Sequence, residues 1–346
     1  MAAYPKTRML VITQGNIDHA SSRIRAVNYF PLFRQNGFAV RWIPRISPKY
    51  RSWPGRMVVF PALKRINWIR ITGALLFSHY DLLFIQRHFL HPLLLHWVRW
   101  RKRKIIYDFD DALYIAAGDR HAFDKTAQMI GLADWVITGS PVLQTFALQF
   151  NARVKVITSP VKIDKTVARQ PKSQVITIGW IGSEWTSKYL DQLEDVFLKL
   201  QETYPVAFLF VGCKAGVLSG IHPEIVPWSL KKEADFLSRM DIGIMPLDDG
   251  DFERGKGGYK LLQYMAAELP VIATPVGINS EIVEEGKTGF LCSTSQEWYD
   301  SFVQLIEDEA LRNTMGKNGL QEILDKYSLE VCFAQWMALL QQIRDR

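Results

Sequence analysis

The 346-residue sequence lacks several features that would place it in a special class of protein. It has no run of 18 or more apolar residues, so no spanning helix is expected. The N-terminus enters a strand pattern directly, without an apolar signal core, so we expect no cleaved leader. The three cysteines, Cys213, Cys292 and Cys332, have no metal or redox spacing. They fit core residues of a reduced, cytoplasmic protein.

Glutamate is missing from the first 165 residues. That part has 25 lysines and arginines against 9 aspartates, a charge of +16, whereas residues 166–346 carry −9. A basic half joined to an acidic half indicates two domains with different partners. Lipid headgroups, nucleic acid or a phosphorylated substrate would attract the basic half, and chance remains the alternative explanation. Because no nucleic-acid recognition motif is present, nucleic acid is not an expected partner.

Strand and helix patterns alternate twice along the chain, separated by a polar segment at 159–173 that has proline near each end. This arrangement predicts an α/β protein with two doubly wound, parallel-sheet domains facing a cleft. Helices are expected at about 21–36, 58–76 and 92–104, among others. Binding sites of such sheets lie at the carboxyl ends of the strands. The corresponding loops here are 14–18, 86–91, 108–111, 182–188 and 248–259.

A glycine-rich, basic turn lies at the centre of the second half. A buried-strand pattern at 242–247 is followed by an acidic loop at 248–253, then by Arg254, Gly255, Lys256, Gly257 and Gly258, and then by a helix pattern. A helix N-terminus behind glycines binds phosphate through backbone N–H groups and the helix dipole. Lysines and arginines add full charges. The stretch therefore predicts a site for a phosphate compound.

The first half offers carboxylates and cations at strand ends. Asp108 and Asp110 follow a buried-strand pattern and lie on one side of an extended chain, where one could act as a base or orient a hydroxyl. A helix N-cap is the structural alternative for Asp110. Arg23 and Arg25 oppose a helix dipole, which indicates a nearby anion or simply a solvated pair. Residues 41–56 interleave aromatic and basic side chains, a pattern typical of a bilayer interface or single-stranded nucleic acid.

Several segments of the second half resemble the donor-site region of the family 4 retaining glycosyltransferases. They are the segments 257–267, 270–277, 281–283, 286–291 and the pairs at 311–312 and 315–316. The resemblance implies the GT-B fold, with two Rossmann-like domains. It implies an acceptor-binding domain at 1–160, a linker at 161–172 and a nucleotide-sugar-binding domain at 173–328. A final helix at 329–346 would pack back on the first domain.

This sequence departs from the family pattern at three places in its second half, and in its first half the acidic cluster 108–111 stands where the family has a histidine. The two glutamates usual at the donor site correspond here to Gly255 and Gln263, and a glutamine can still bond a ribose hydroxyl. Glu253 is a candidate substitute for the first of them. The arginine usual after the first strand of the second domain is Ser183, although Gly182 and Lys188 match. Arg254, Lys256 or Lys260 could supply the missing cation.

Together these observations predict a retaining glycosyltransferase that moves a hexose from a nucleoside-diphosphate sugar to a glycan or glycolipid acceptor. No cofactor or metal is expected. The basic first half leads us to expect peripheral attachment to the inner face of the cell membrane. The alternative is a non-catalytic, nucleotide-sugar-binding partner subunit. The predicted catalytic residues are Asp108, Asp110 and Lys188. The predicted donor-binding residues are Gly15, Gly182, Ser183, Lys188, Asp248, Glu253, Lys256, Gly257, Gly258, Tyr259, Lys260 and Gln263. The predicted acceptor-binding residues are Arg23, Arg25, Arg87 and His88.

Overall fold

The computed structural model describes residues 7–46, 56–115, 118–163, 175–216 and 218–344. The chain divides into two compact units. The first contains residues up to Pro160 and those from Cys332 onward, and the second runs from Val161 to Val331. Most of the predicted linker, 164–174, and residues 47–55 of the predicted aromatic and basic segment lie outside the described residues. Among the residues described, no helix is both long and apolar enough to cross a bilayer.

The first unit is built on a six-stranded parallel sheet with the order β2-β1-β3-β4-β5-β6. Its strands are nearly continuous apolar runs, as expected for a sheet that is covered on both faces. In register, Thr13 pairs with Gln86 and Gln86 with Asp108, so the carboxyl ends of three strands are aligned. The strands are β1 Thr7–Thr13, β2 Phe38–Pro44, β3 Leu82–Gln86, β4 Lys104–Phe109, β5 Trp135–Thr138 and β6 Val154–Val156.

Two predicted helices of this unit have different bounds in the structure. The helix expected at 21–36 is interrupted by a 3-10 turn, Val27–Tyr29, because Pro31 has no N–H to donate into a continuous helix. The helix expected at 92–104 ends at Trp100, and Lys102 turns the chain at a positive φ of 54° before Lys104 opens β4. The helices are α1 Ala20–Arg25, α2 Phe30–Gln35, α3 Arg56–Phe77, α4 Pro92–Trp100, α5 Ala122–Leu132 and α6 Pro141–Leu148.

The second unit repeats the design, with a six-stranded parallel sheet in the order β12-β11-β10-β7-β8-β9. The α/β architecture predicted from the sequence is thereby confirmed in both units. The strands are β7 Ile176–Ile181, β8 Val206–Val211, β9 Glu224–Val226, β10 Ile242–Met245, β11 Val271–Ala273 and β12 Gly289–Leu291. The helices are α7 Glu194–Thr203, α8 Glu233–Ser238, α9 Asp251–Arg254, α10 Tyr259–Ala266, α11 Asn279–Ile282, α12 Ser295–Glu307 and α13 Glu309–Glu322.

The last helix, α14 Leu329–Arg344, contributes to the core of the first unit. Trp336 is almost fully buried, and its ring lies 6.0 Å from that of Tyr29, 5.7 Å from that of Phe33 and 5.0 Å from that of Phe84. Aromatic pairs at these separations stabilise a core beyond the area that they bury. The end of the chain thus completes the unit in which the chain begins.

Candidate functional site

The loops of the first unit converge where its strand order reverses. From β1 the chain goes to β2 on one side and to β3 on the other, so the loops after β1 and β3 flank a topological switch point. Ligands of open α/β sheets bind at this position. Here the structure brings together Gly15, Gln86 and the carboxylates that follow β4.

A continuous hydrogen-bond network joins these loops. The Gly15 N–H donates to the Ser22 Oγ at 3.1 Å, and this hydroxyl donates to the Gln86 Oε1 at 3.0 Å. The Gln86 Nε2 donates to the Ser21 Oγ at 2.7 Å, and Ser21 in turn donates to the Asp110 carboxylate at 2.7 Å. Because Gln86 is fully buried and bonds to both serines, the network holds Asp110 in one position.

Asp110 lies beside a second carboxylate and one arginine. The Arg87 Nη1 is 3.3 Å from the Asp110 Oδ1 and 2.8 Å from the Asp111 Oδ2. Burial alone would raise the pKa of Asp110, but Arg87 and Arg25 lower it, so the group is ionised. Its side chain is 13% exposed and that of Asp111 is 28% exposed. Arg87 has a positive φ of 48°, a strained backbone conformation that is typical of functional sites.

Asp108 and Arg25 form an ion pair in the interior instead of facing a ligand. The Arg25 guanidinium bonds both oxygens of Asp108, and its Nη1 donates to the Ile157 O at 2.6 Å. Their side chains are 0% and 2% exposed. Burial raises the pKa of Asp108 to about 6 despite the arginine. Since both groups are enclosed and paired, they support the fold beneath the site, and we leave them out of the proposed binding surface.

The other two predicted acceptor residues lie at the edges of this cluster. Arg23 is buried and its Nη1 donates to the Ile17 O at 3.1 Å, which shapes the loop after β1. His88 is half-buried, and burial together with Arg45 lowers its pKa to about 4. His88 is therefore neutral at physiological pH and can donate or accept a hydrogen bond.

The second unit has its own switch point, between β7 and β10. From β7 the chain goes to β8 and β9 on one side and returns to β10 on the other. The loop with Gly182, Ser183 and Lys188 follows β7, and the glycine-rich turn follows β10. Gly182 is required here, since a Cβ would lie 2.2 Å from the Trp180 ring. The structure thus brings the two predicted donor loops to the position at which such sheets bind ligands.

Gly258 sets the start of α10. It has a φ of 63°, in the left-handed region, and a Cβ there would lie 2.3 Å from the Ile282 Cδ1. Glycine is the residue that fits both restraints. As a glycine, this N-cap has no side chain that could cover the first turn of the helix. The start of α10 therefore has the form of the anion site that the glycine-rich pattern predicts.

Three lysines gather around aromatic rings beside this helix. The Nζ of Lys188 is 4.9 Å from the centre of the Tyr189 ring, and that of Lys256 is 5.6 Å from it. Lys256 also lies 4.5 Å from the Phe252 ring, and Lys260 lies 4.4 Å from the Trp180 ring. Burial and the charge of Lys256 lower the pKa of Lys260 to about 7. Cations held on rings in this way concentrate positive charge at the strand ends of the second unit.

The predicted acidic loop is partly helical. Residues 251–254 form α9, where Arg254 bonds Asp249 at 2.7 and 2.9 Å, so this arginine is already engaged by a carboxylate. Glu253 is buried and accepts a hydrogen bond from the Tyr189 hydroxyl. Asp248 is exposed. Of the three cations proposed to replace the missing arginine, Lys256 lies just before α10 and Lys260 lies in its first turn.

The remaining predicted donor residues lie on the same loops. Ser183 is exposed, and its N–H donates to the Thr186 Oγ1 at 3.1 Å. Gly257 and Tyr259 are half-buried beside Gly258, and Gln263 is buried on the second turn of α10. Sequence reasoning missed the rings of Trp180 and Tyr189. Their signal was available, because Trp180 precedes Gly182 by two residues and Tyr189 follows Lys188 directly.

Comparisons with known proteins find a family match in the second unit. Residues 174–308 match the family model described as Glycosyl transferases group 1. N-acetyl-alpha-D-glucosaminyl L-malate synthase of Bacillus anthracis is 29% identical over 105 residues, which is 30% of this chain and 26% of that enzyme. The alignment thus spans about a quarter of the relative's length. The resemblance predicted from the sequence is confirmed for this region.

Solved structures match over nearly the whole chain. Sucrose-phosphate synthase of Thermosynechococcus elongatus has a TM-score of 0.70 at 14% identity, covering 98% of this chain and 100% of that one. HepE of Anabaena, solved with UDP and glucose, has a TM-score of 0.68 at 16% identity, covering 97% and 99%. At such low identities these matches establish the fold alone. They confirm the predicted GT-B class.

Proposed function

We propose that this chain, which carries a glycosyl transferases group 1 region at residues 174–308, is a retaining glycosyltransferase. It moves a hexose from a nucleoside-diphosphate sugar to a hydroxyl of a lipid-linked or cell-envelope glycan. The observation that carries the proposal is the cluster of Lys188, Lys256 and Lys260 at the glycine-led N-terminus of α10. Because HepE was solved with UDP and glucose, uridine diphosphate sugars are the first donors to test.

The lysine cluster supplies what the leaving group needs. Cleavage of the bond between sugar and phosphate leaves negative charge on the diphosphate. Lysines and helix N–H groups that are already in place stabilise this charge without reorganising. They take the part that a divalent metal plays in other phosphate sites. The departing phosphate accepts the acceptor's proton on the same face, so the configuration of the sugar is retained without a protein nucleophile.

In the first unit, we assign the orientation of a hydroxyl group to Asp110. Its carboxylate is ionised, partly exposed and held by Ser21 and Arg87. An ionised carboxylate accepts a hydrogen bond from a sugar hydroxyl and fixes its direction. Because Arg87 is already neutralised by two aspartates, this cluster favours an uncharged hydroxyl over a phosphate. The predicted role of Asp108 passes to Asp110.

Replacement of one lysine tests the proposal. Lys188→Ala removes an exposed cation, so we expect turnover to fall by about a hundredfold while the fold persists. Lys317→Ala, an exposed lysine on α13, is the matched control. Transfer and slow hydrolysis of UDP-sugars are measured together with the thermal shift produced by UDP, since a bound ligand raises stability by mass action. Parent-level turnover in Lys188→Ala would refute the assignment.

A non-catalytic nucleotide-sugar binder is the second candidate. Gly255 and Gln263 occupy the places of two glutamates usual in the family, and this substitution favours it. The two functions differ in one measurement. A transferase slowly hydrolyses its own donor, whereas a binder is stabilised by the sugar nucleotide and releases no sugar to water or to any acceptor.

A further inference from the structure

Helix α3 exposes an apolar stripe on the face that points away from its own unit. Asn67, Ile71, Ala74 and Leu75 are buried on the inner face, and the Asn67 side chain bonds the Ile46 N and O at 2.8 Å each. The outer stripe consists of Val59, Ala62, Ile66, Ile69 and Phe77, all of which are exposed. Their spacing of three, four, three and eight residues places them on one side of the helix.

The exposure of this stripe is large for apolar side chains. Ile69 is 61% exposed and Phe77 is 83% exposed. Contiguous exposed apolar residues mark a surface that another body covers. Helix α4 extends the surface with Leu93 and Trp100, which are seven residues apart and 71% and 73% exposed. The two helices are joined where the Arg101 Nη1 donates to the Leu76 O at 3.4 Å.

The charge around the stripe identifies the occupant. Residues 59–80 contain three cations, Lys64, Arg65 and Arg70, and no acidic residue. Residues 82–107 likewise have no aspartate or glutamate. A second copy docked on this face would place two basic helices against each other, which costs free energy. An anionic lipid bilayer is complementary to both the apolar stripe and the positive charge around it. Apolar side chains enter the acyl region, and cations contact headgroup phosphates.

We propose that the outer stripe of α3, with Leu93 and Trp100 of α4, is a docking surface for an anionic lipid bilayer. Trp68, on the flank of α3 between the stripe and the inner face, and Trp100 are both exposed, and tryptophan prefers headgroup depth. α3 then lies in the plane of the interface, with its inner face on the protein and its outer face in the lipid. This surface shares no residue with the lysine cluster or the Asp110 network, so the inference is independent of the transferase proposal.

Vesicle co-sedimentation of the full chain tests the inference. The parent should bind vesicles of phosphatidylcholine with phosphatidylglycerol, should bind pure phosphatidylcholine far less, and should be released by high salt. Ile66→Gln/Ile69→Gln should weaken partitioning by about tenfold, through loss of buried apolar area. Lys64→Gln/Arg65→Gln/Arg70→Gln should weaken it by at least as much on anionic vesicles.

Matched controls separate docking from folding. Val142→Gln/Leu148→Gln changes two exposed apolar residues of α6, and Lys231→Gln/Lys232→Gln/Lys317→Gln removes three exposed cations of the second unit. All variants should keep the parent's thermal shift with UDP. The inference would be overturned if the apolar variant and the cation variant of α3 both sedimented like the parent, or if the parent did not bind. So would a dimer of the parent that Ile66→Gln/Ile69→Gln converts to a monomer, since a second copy would then cover the stripe.

Discussion

Lys260 is the residue of the donor site whose charge changes nearest to physiological pH. Burial and Lys256 lower its pKa to about 7, so it is largely neutral at pH 8. A bound diphosphate favours the charged form and raises this pKa. Donor binding above pH 7 should therefore take up about one proton, and affinity should fall as pH rises from 7 to 9. Calorimetry with UDP-glucose in buffers of different ionisation enthalpy measures this uptake.

Lys260→Met is the control for this prediction. The variant should bind UDP-glucose more weakly at pH 6.5 and should lose the proton uptake. UDP-glucose is preferred to UDP as the ligand because its diphosphate has no proton that titrates near pH 7. Proton uptake that persists in Lys260→Met would assign the titration to another group.

Two neighbouring aspartates should respond to amidation in opposite ways. Asp108→Asn leaves the enclosed Arg25 without a counter-charge, so the free energy of unfolding should fall by about 3–5 kcal/mol. Asp110→Asn keeps much of the network and should leave stability within about 1 kcal/mol, while transfer falls by about tenfold or more. Chemical denaturation and transfer assays on both variants check this. A stable, inactive Asp108→Asn would reverse the assignment.

The sequence predicted which loops lie at the strand ends better than it predicted what their side chains contact. Strand ends, glycines and charges all have local patterns, and the loops they predicted do converge at both switch points. Asp108 and Asp110 share one side of an extended chain, so alternation could not separate them. The two aspartates have different surroundings for two reasons. Asp108 lies within β4, which ends at Phe109, whereas Asp110 lies beyond it, and Arg25, which is distant in sequence, bonds Asp108. Contacts across 83 residues have no local signal.

At the scale of the element, the turn before α10 combines two restraints on Gly258. A side chain at Gly258 would be strained by the left-handed backbone and would also collide with the Ile282 side chain. Gly286 has a similar backbone, with a φ of 70°, but no atom lies within 4 Å of the place where its Cβ would be. Gly286→Ala therefore measures backbone strain alone, about 1 kcal/mol. Gly258→Ala should cost about 2 kcal/mol or more, because the Ile282 methyl group must also move.

The variants Gly258→Ala and Gly286→Ala also separate an effect on stability from an effect on UDP binding. Gly258→Ala shifts the first turn of α10, so UDP should raise its melting temperature less than that of the parent. Gly286→Ala should keep the parent's response. Equal destabilisation and equal UDP response in the two variants would contradict the restraint inferred for the α10 turn. Differential scanning fluorimetry with and without UDP gives both quantities.

Element boundaries were less predictable than element types. The predicted helix at 21–36 breaks at Ala26 because of Pro31, and α4 ends early because Lys102 has a left-handed backbone. Hydrophobic periodicity predicts neither of these boundaries. Helix α3 was predicted, but its exposed outer stripe was not. Its apolar residues lie on both faces, and only the packed structure shows which face the sheet covers.

At the scale of the whole molecule, the two units should respond separately to mutation and ligand. Trp336→Ala removes a buried ring from the first unit, so that unit should lose about 3–5 kcal/mol. The UDP-binding residues we propose lie in the second unit. UDP should therefore still protect the second unit from proteolysis in Trp336→Ala, while sites in the first unit are cut faster. Limited proteolysis followed by mass spectrometry measures the two effects. If UDP no longer protected the second unit of Trp336→Ala, the two units would not respond separately.

The return of α14 to the first unit has a consequence for synthesis on the ribosome. Domains fold as units while the chain emerges, the N-terminal one usually first. Here the first sheet emerges early, yet its ring of aromatic contacts waits for Phe333 and Trp336, which follow the whole second unit in the chain. The second unit can complete its core before that. The first unit, although translated before the second, therefore matures after it, and a nonsense mutation just after the codon for Val331 would damage the first unit.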